Sequence, residues 1–273
     1  MDSSANLKKT IAYMKSHWPS RVKAEWQVAI DEYPTIVKKV LADFTKDKTK
    51  SRHFVRIAGL SGSGKTTQIL PAAEAYFKKQ NLAPILVAAR RFVEYHPHYQ
   101  KILNFYGGKD LRKMTDEFST IMMFLTLSAL TESGYDIILD VTLLDPEIEQ
   151  ILLTMLKSHR YEALFLMIAT SPTVTEHFLK GRSWRHSAET EQEFIRATTR
   201  ALEFYAESAP NLRIILWSVY DKQPIYDGEI QGCLGIFADY SSRVELPKND
   251  DNARREAKIK YLEELKWPLS TID

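Results

Sequence analysis

The chain has 273 residues, 44% of them apolar and 26% charged, the balance of a globular protein with a core of its own. A formal net charge of +2 argues against a dedicated nucleic-acid binder, and the single cysteine, Cys233, excludes an internal disulfide and a cysteine-rich metal site. No window holds the ~18 apolar residues that a membrane span needs. The N-terminus also lacks the basic-then-apolar pattern of a secretory signal, so the expectation is a soluble, cytoplasmic protein.

Residues 5–45 read as helical. Leu7, Ile11, Met14 and Trp18 recur at helical spacing, and Ile36, Val37, Val40, Leu41 and Phe44 form a second stripe that Pro34 is placed to start. Lys46 to Arg52 reads as a solvated connector, so residues 1–50 are expected to be a helical N-terminal extension. From His53 the pattern changes. Short β-rich runs at Phe54–Ala58, Ile85–Ala88, Asp136–Asp140, Ala163–Ala169 and Leu212–Ser218 alternate with helical stretches at Glu117–Leu130, Pro146–Lys157 and Glu191–Tyr205. Asp145 before Pro146 is a helix cap followed by proline at the first position. Such alternation predicts an α/β domain over 51–228, a mostly parallel sheet with helices on both faces, whose ligands bind at the carboxyl ends of the strands. Residues 229–273 are expected to form a loop and a C-terminal helix near Asn252–Leu265.

The strongest motif follows the first strand. Gly59-Leu-Ser-Gly-Ser-Gly-Lys65-Thr66 is a full P-loop pattern with a strand before it and a helical stretch after it. Glycines at 59, 62 and 64 let successive backbone N–H groups turn toward one anion, and the helix beginning near Gly64 adds its positive end. Ser61, Ser63 and Thr67 belong to the same cradle. Lys65 is expected to meet the β- and γ-phosphates of ATP or GTP, and Thr66 to ligate Mg²⁺. Asp140 closes the run Tyr135-Asp-Ile-Ile-Leu-Asp140, where a strand-terminal carboxylate beside a P-loop serves the same ion. Pro71, about two turns beyond the loop, predicts a helix that kinks or restarts there.

With these landmarks the sequence resembles the zeta toxin family of P-loop kinases over about residues 53–228. The resemblance is carried by Phe92-Val-Glu-Tyr-His96-Pro97, by Gly134-Tyr135, by Asp140-Val-Thr142 in place of the family's Glu-Gly-Thr, and by Ile225-Tyr226-Asp227-Gly228. It implies transfer of a nucleotide γ-phosphate to a sugar hydroxyl of UDP-N-acetylglucosamine or a related nucleotide-linked acceptor. It also implies that Arg182 and Arg185 contact the phosphates, that Thr142 lies on the acceptor side, and that an antitoxin-like protein can serve as inhibitory partner; His96 reads as a structural or an acceptor-site hydrogen bonder.

Three acceptor-side positions depart from the family. Arg90 stands where the family keeps its Asp general base, Phe124 near its acidic substrate contact, and Leu144 where an arginine follows Glu-Gly-Thr. A guanidinium cannot take a proton from a hydroxyl. Three readings compete: a different acceptor oriented by Asp140 or Glu94; an anionic acceptor clamped by Arg90 and Arg91; or a catalytically silent, nucleotide-binding interaction module. His96 and His98 have strand-like metal-ligand spacing but no acidic or cysteine partner nearby. Trp184 and Tyr226 are candidates to stack on a base.

Overall fold

In the computed structural model, residues 10–16, 21–143, 145–179, 188–243 and 251–265 are described. In chain order the elements are α1 (Tyr33–Phe44), β1 (His53–Gly59), α2 (Leu70–Lys79), β2 (Ile85–Val87), α3 (Tyr99–Glu132), β3 (Ile137–Asp140), α4 (Pro146–Ser158), β4 (Glu162–Ala169), α5 (Pro172–Leu179), α6 (Ala188–Ser208), β5 (Arg213–Ser218), β6 (Tyr226–Glu229), α7 (Leu234–Ser242) and α8 (Asp251–Glu264). They fall into two compact units, residues 1–48 with 87–133, and residues 49–86 with 134–273.

The second unit is built on a six-stranded sheet of order β2-β3-β1-β4-β5-β6. β1 pairs in parallel with β3 and β4, β4 in parallel with β5, and β6 closes the edge antiparallel to β5. β1 lies at the centre because Phe54, Val55, Ile57 and Ala58 bury both of its faces. Alternation along the strands divides the core. Val55, Ile57, Ile138, Leu164, Leu166, Ile168, Ile215 and Trp217 pack with Ala72, Ala73, Tyr76 and Phe77 of α2 and Leu262 of α8. On the opposite face Arg56 of β1 meets Glu149 of α4, and Phe165 of β4 meets Tyr205 of α6 with ring centroids 5.0 Å apart. The sheet is thus mostly parallel and covered by helices on both sides, as the strand–helix alternation predicts. The C-terminal helix belongs to this unit's core: Lys258 is buried and donates to the Asp221 carbonyl at 3.2 Å.

The first unit is helical. Residues 10–16 are helical, with Ile11 and Met14 fully buried. Tyr33 of α1 packs on Phe118 of α3 (5.8 Å) and Phe44 on Phe92 (5.6 Å). Residues 5–45 are not helical throughout, because 21–32 run as irregular chain with one short turn at Ala24–Trp26; Val22 and Val28 are buried there without a helical repeat. The helix read as Glu117–Leu130 is also much longer, Tyr99–Glu132, and bends at Gly107, whose backbone (φ 70°, ψ 173°) is not helical. Among the described residues no helix is long and apolar enough to cross a membrane.

Candidate nucleotide-phosphate site

β1 ends at Gly59, and the chain turns through Gly59–Gly64 before Lys65–Ile69 form a single wide π turn. The N–H of Leu70 closes that turn onto the carbonyl of Lys65, and α2 starts afresh at Leu70 with Pro71 in its first positions. The restart places Pro71 where a helix has no use for its missing N–H. This is the break that the proline predicts.

Two glycines are required by geometry. Gly59 has φ +142°, and a Cβ there would stand 2.9 Å from the Ile168 carbonyl oxygen of β4. Gly62 has φ +79°, and its Cβ would meet Leu179 Cγ of α5 at 3.1 Å. Any L side chain at either position is strained and displaces its neighbour. Gly64 (φ +95°) precedes the π turn, with its carbonyl accepting the Gln68 N–H at 2.8 Å.

Lys65 lies folded onto the loop itself, its Nζ donating to the carbonyl oxygens of Gly59 (2.6 Å) and Leu60 (2.8 Å). The Gly59 oxygen also accepts from Thr142 Oγ1 at 2.9 Å. Thr142 therefore braces the cradle, a placement that its position two residues beyond β3 does not reveal. Ser61 is half-buried, Ser63 is buried, and Thr66 and Thr67 are exposed at the start of the π turn. Asp140 ends β3 in register with Ile57 of β1, two residues before Gly59, and is 6% exposed.

Thr142 is itself held by a buried cluster. Arg56 Nη2 donates to the Thr142 carbonyl at 3.0 Å and to Glu149 Oε1 at 2.9 Å, while its Nη1 meets Glu149 Oε2. Tyr205 Oη donates to Glu149 Oε2 at 2.7 Å. All three side chains are at most 1% exposed. Another buried carboxyl, Glu191 in the first turn of α6, is 2% exposed. Burial pushes it up to about 7, against the pull of the Lys65 ammonium. Sequence reasoning missed all four residues. Arg56 carried the one available signal, a charge inside an apolar run that must find a partner if the strand is central.

Arg182, Arg185, Leu144 and Trp184 lie outside the described residues. Arg90, Arg91, Glu94 and His96 belong to the first unit. Arg90 and Glu94 are exposed, and the Arg91 guanidinium lies over the Phe44 ring, 4.2 Å from its centroid. His96 is 4% exposed, with its ring edge on Phe118 (4.7 Å) and Nδ1 accepting the His98 N–H at 3.0 Å. Tyr226 Oη donates to the Glu229 carbonyl at 2.6 Å, closing the β6 turn. Among the described residues no three of His, Cys, Asp and Glu come together as a metal cage. A P-loop Mg²⁺ needs no such cage, since one hydroxyl, one carboxylate, phosphate oxygens and water suffice. Thr66 and Asp140 fit that donor set as hard oxygen ligands.

Burial first, then His98, lowers the His96 imidazole to about 4, so it is neutral at pH 7. An unfolded histidine near ~6.5 binds its proton earlier on acidification, so stability falls as pH drops from 6.5 toward 4. Unfolding measured at pH 7 and pH 4.5 is expected to show wild type losing on the order of 2 kcal/mol more than His96→Phe. Equal losses would contradict the assignment of a buried neutral ring.

The Zeta toxin family model matches residues 38–229. A curated relative, the toxin PezT of Streptococcus pneumoniae, is 27% identical over 146 residues, 53% of this chain. The aligned part spans 56% of that relative, little more than half its length. A solved structure of the PezAT chromosomal toxin–antitoxin system of the same bacterium superimposes with a TM-score of 0.65 at 20% identity, covering 88% of this chain and 99% of the other. At that identity it shows a shared fold.

Proposed function

The chain belongs to the zeta toxin family, and on that footing we propose that it is a phosphotransferase moving the γ-phosphate of ATP or GTP to a hydroxyl of a small, nucleotide-linked acceptor. UDP-N-acetylglucosamine is the first acceptor to try. The observation that carries this reading is the cradle itself: a glycine turn at the end of a central strand, with Lys65 at its centre and the carboxylate of Asp140 at the end of the neighbouring strand.

In this reading the backbone N–H groups of Ser61 to Thr66 hold the β- and γ-phosphates. Lys65 exchanges its two carbonyl partners for phosphate oxygens, a trade of neutral acceptors for charged ones that favours the bound state. Thr66 and Asp140 would hold Mg²⁺, which neutralises charge on the phosphates when bound. Thr142 keeps the Gly59 carbonyl in place as Lys65 leaves it. Arg182 and Arg185 are assigned to the transferring phosphoryl group, and Arg90, Arg91 and His96 to the acceptor; an acceptor with its own phosphates suits paired guanidinium groups. An antitoxin-like protein is the proposed inhibitory partner.

Arg90 favours one rival, a nucleotide-gated binding module without chemistry. Incubating the protein with γ-labelled ATP and UDP-N-acetylglucosamine, then with a small-molecule extract, separates the two. Label in a small organic molecule is the expected result. Binding of ATP with label in no acceptor would replace the kinase reading with the silent module.

A further inference from the structure

We propose that Glu191 is a catalytic residue of this site, the carboxylate that takes the proton of the attacking hydroxyl. The inference rests on the phosphotransferase reading above.

Glu191 lies on the inward face of α6, in line with Thr198, Ala201 and Tyr205, which are all buried. Glutamate at such a position is normally paired. Here neither carboxyl oxygen has a hydrogen-bond partner among the described residues, although the residue is 2% exposed. The cation whose field acts on it is the P-loop lysine, Lys65. An unsatisfied buried carboxyl costs stability and contributes nothing to packing that leucine or glutamine would not do better. Its presence there points to use.

The chemistry needs such a group. Lys65 marks the γ-phosphoryl group in a P-loop enzyme, so a carboxyl within its electrostatic reach stands beside the approaching hydroxyl. Arg90 occupies the position where the resemblance calls for an aspartate base, and a guanidinium cannot accept a proton. Burial holds the Glu191 carboxyl near 7, where a base is both sufficiently deprotonated and sufficiently basic at neutral pH. In the step, the acceptor O–H bond breaks and its proton passes to the Glu191 carboxylate. The acceptor oxygen bonds to the γ-phosphorus, and the bond from that phosphorus to the bridging oxygen breaks. The nucleoside diphosphate leaves with the electron pair, and the protonated Glu191 later releases its proton to water.

The test measures label transfer from γ-labelled ATP to UDP-N-acetylglucosamine and to a small-molecule extract between pH 5.5 and 8.5, with ATP affinity measured in parallel. Wild type, Glu191→Gln and Glu191→Asp are compared. Glu191→Gln is expected to bind ATP at least as tightly as wild type and to transfer label ~10²–10⁴-fold more slowly. It should also lack the loss of rate that wild type shows below about pH 7. Glu191→Asp is expected to keep that acid limb at an intermediate rate. Transfer by Glu191→Gln at the wild-type rate, or with the acid limb intact, would overturn the assignment and leave the kinase reading standing. A wild type that binds ATP and transfers no label would overturn both.

Discussion

Lys65→Ala is expected to weaken Mg·ATP binding by about a hundredfold or more, equivalent to roughly 2.8 kcal/mol, while leaving the fold intact. The two halves of that expectation have separate causes. Lys65 is the one cation of the Gly59–Thr66 segment, and the triphosphate that the segment receives carries its charge on the oxygens the ammonium meets. Losing a charge-assisted contact in a partly desolvated pocket costs ~2–5 kcal/mol of binding. The same ammonium contributes little to folding. Its partners in the structure are the carbonyls of Gly59 and Leu60, which keep bonds from Thr142 Oγ1 and from the Ser63 N–H respectively. Neither carbonyl is left without a donor, so the melting temperature should change by no more than a few degrees. Calorimetric titration of ATP alongside thermal unfolding reads both halves. Equal affinities with an unchanged melting temperature would remove Lys65 from nucleotide binding.

The largest effect on stability is expected from Glu149→Ala. Arg56 is buried at the centre of the sheet with its guanidinium shared between Glu149 and the Thr142 carbonyl, and Tyr205 donates to the same carboxylate. Truncating Glu149 leaves a buried guanidinium without its counter-charge, which costs ~3–5 kcal/mol. Replacing both partners at once, Arg56→Met with Glu149→Leu, should recover most of that loss, because the pair's desolvation offsets much of its attraction. The double variant is nevertheless expected to bind ATP less tightly than wild type. Arg56 also holds Thr142, and Thr142 holds the Gly59 carbonyl on which Lys65 rests. Chemical denaturation of wild type, Glu149→Ala and the double variant, with ATP titration of the double variant, reads these effects. A Glu149→Ala protein within 1 kcal/mol of wild type would mean that the cluster is not the buried ion pair described.

The legible parts of this molecule were those fixed by local pattern. Apolar runs of four to eight residues bounded by turn residues placed β1, β3, β4 and β5 within a residue or two of their ends. The P-loop was readable because its glycine spacing meets a backbone requirement, positive φ at Gly59, Gly62 and Gly64. Pro71 foretold the restart of α2 because proline lacks the N–H that a continuous helix would use. α3 was read too short because its first turns carry few buried residues and the Gly107-Gly108 pair interrupts the repeat, whereas the chain bends at Gly107 and continues.

The side chains that hold the site together were not legible. Arg56 and Glu149 lie 93 positions apart, and Thr142 and Gly59 are separated by 83. Such contacts exist only once the parallel sheet has brought β1, β3 and the helices on its far face into register. Glu191 gave no signal at all. An acid in the first turn of a helix reads as a partner of the helix dipole, and only the fold turns it inward, where it is buried.

The most direct measurement is a structure of the protein with Mg·ATP bound. The triphosphate is expected to lie in the turn from Gly59 to Thr66, with Lys65 Nζ moved from the Gly59 and Leu60 carbonyls to phosphate oxygens, and with Thr66 and Asp140 at the metal. Lys65 still seated on those two carbonyls, with the nucleotide bound elsewhere on the chain, would contradict it.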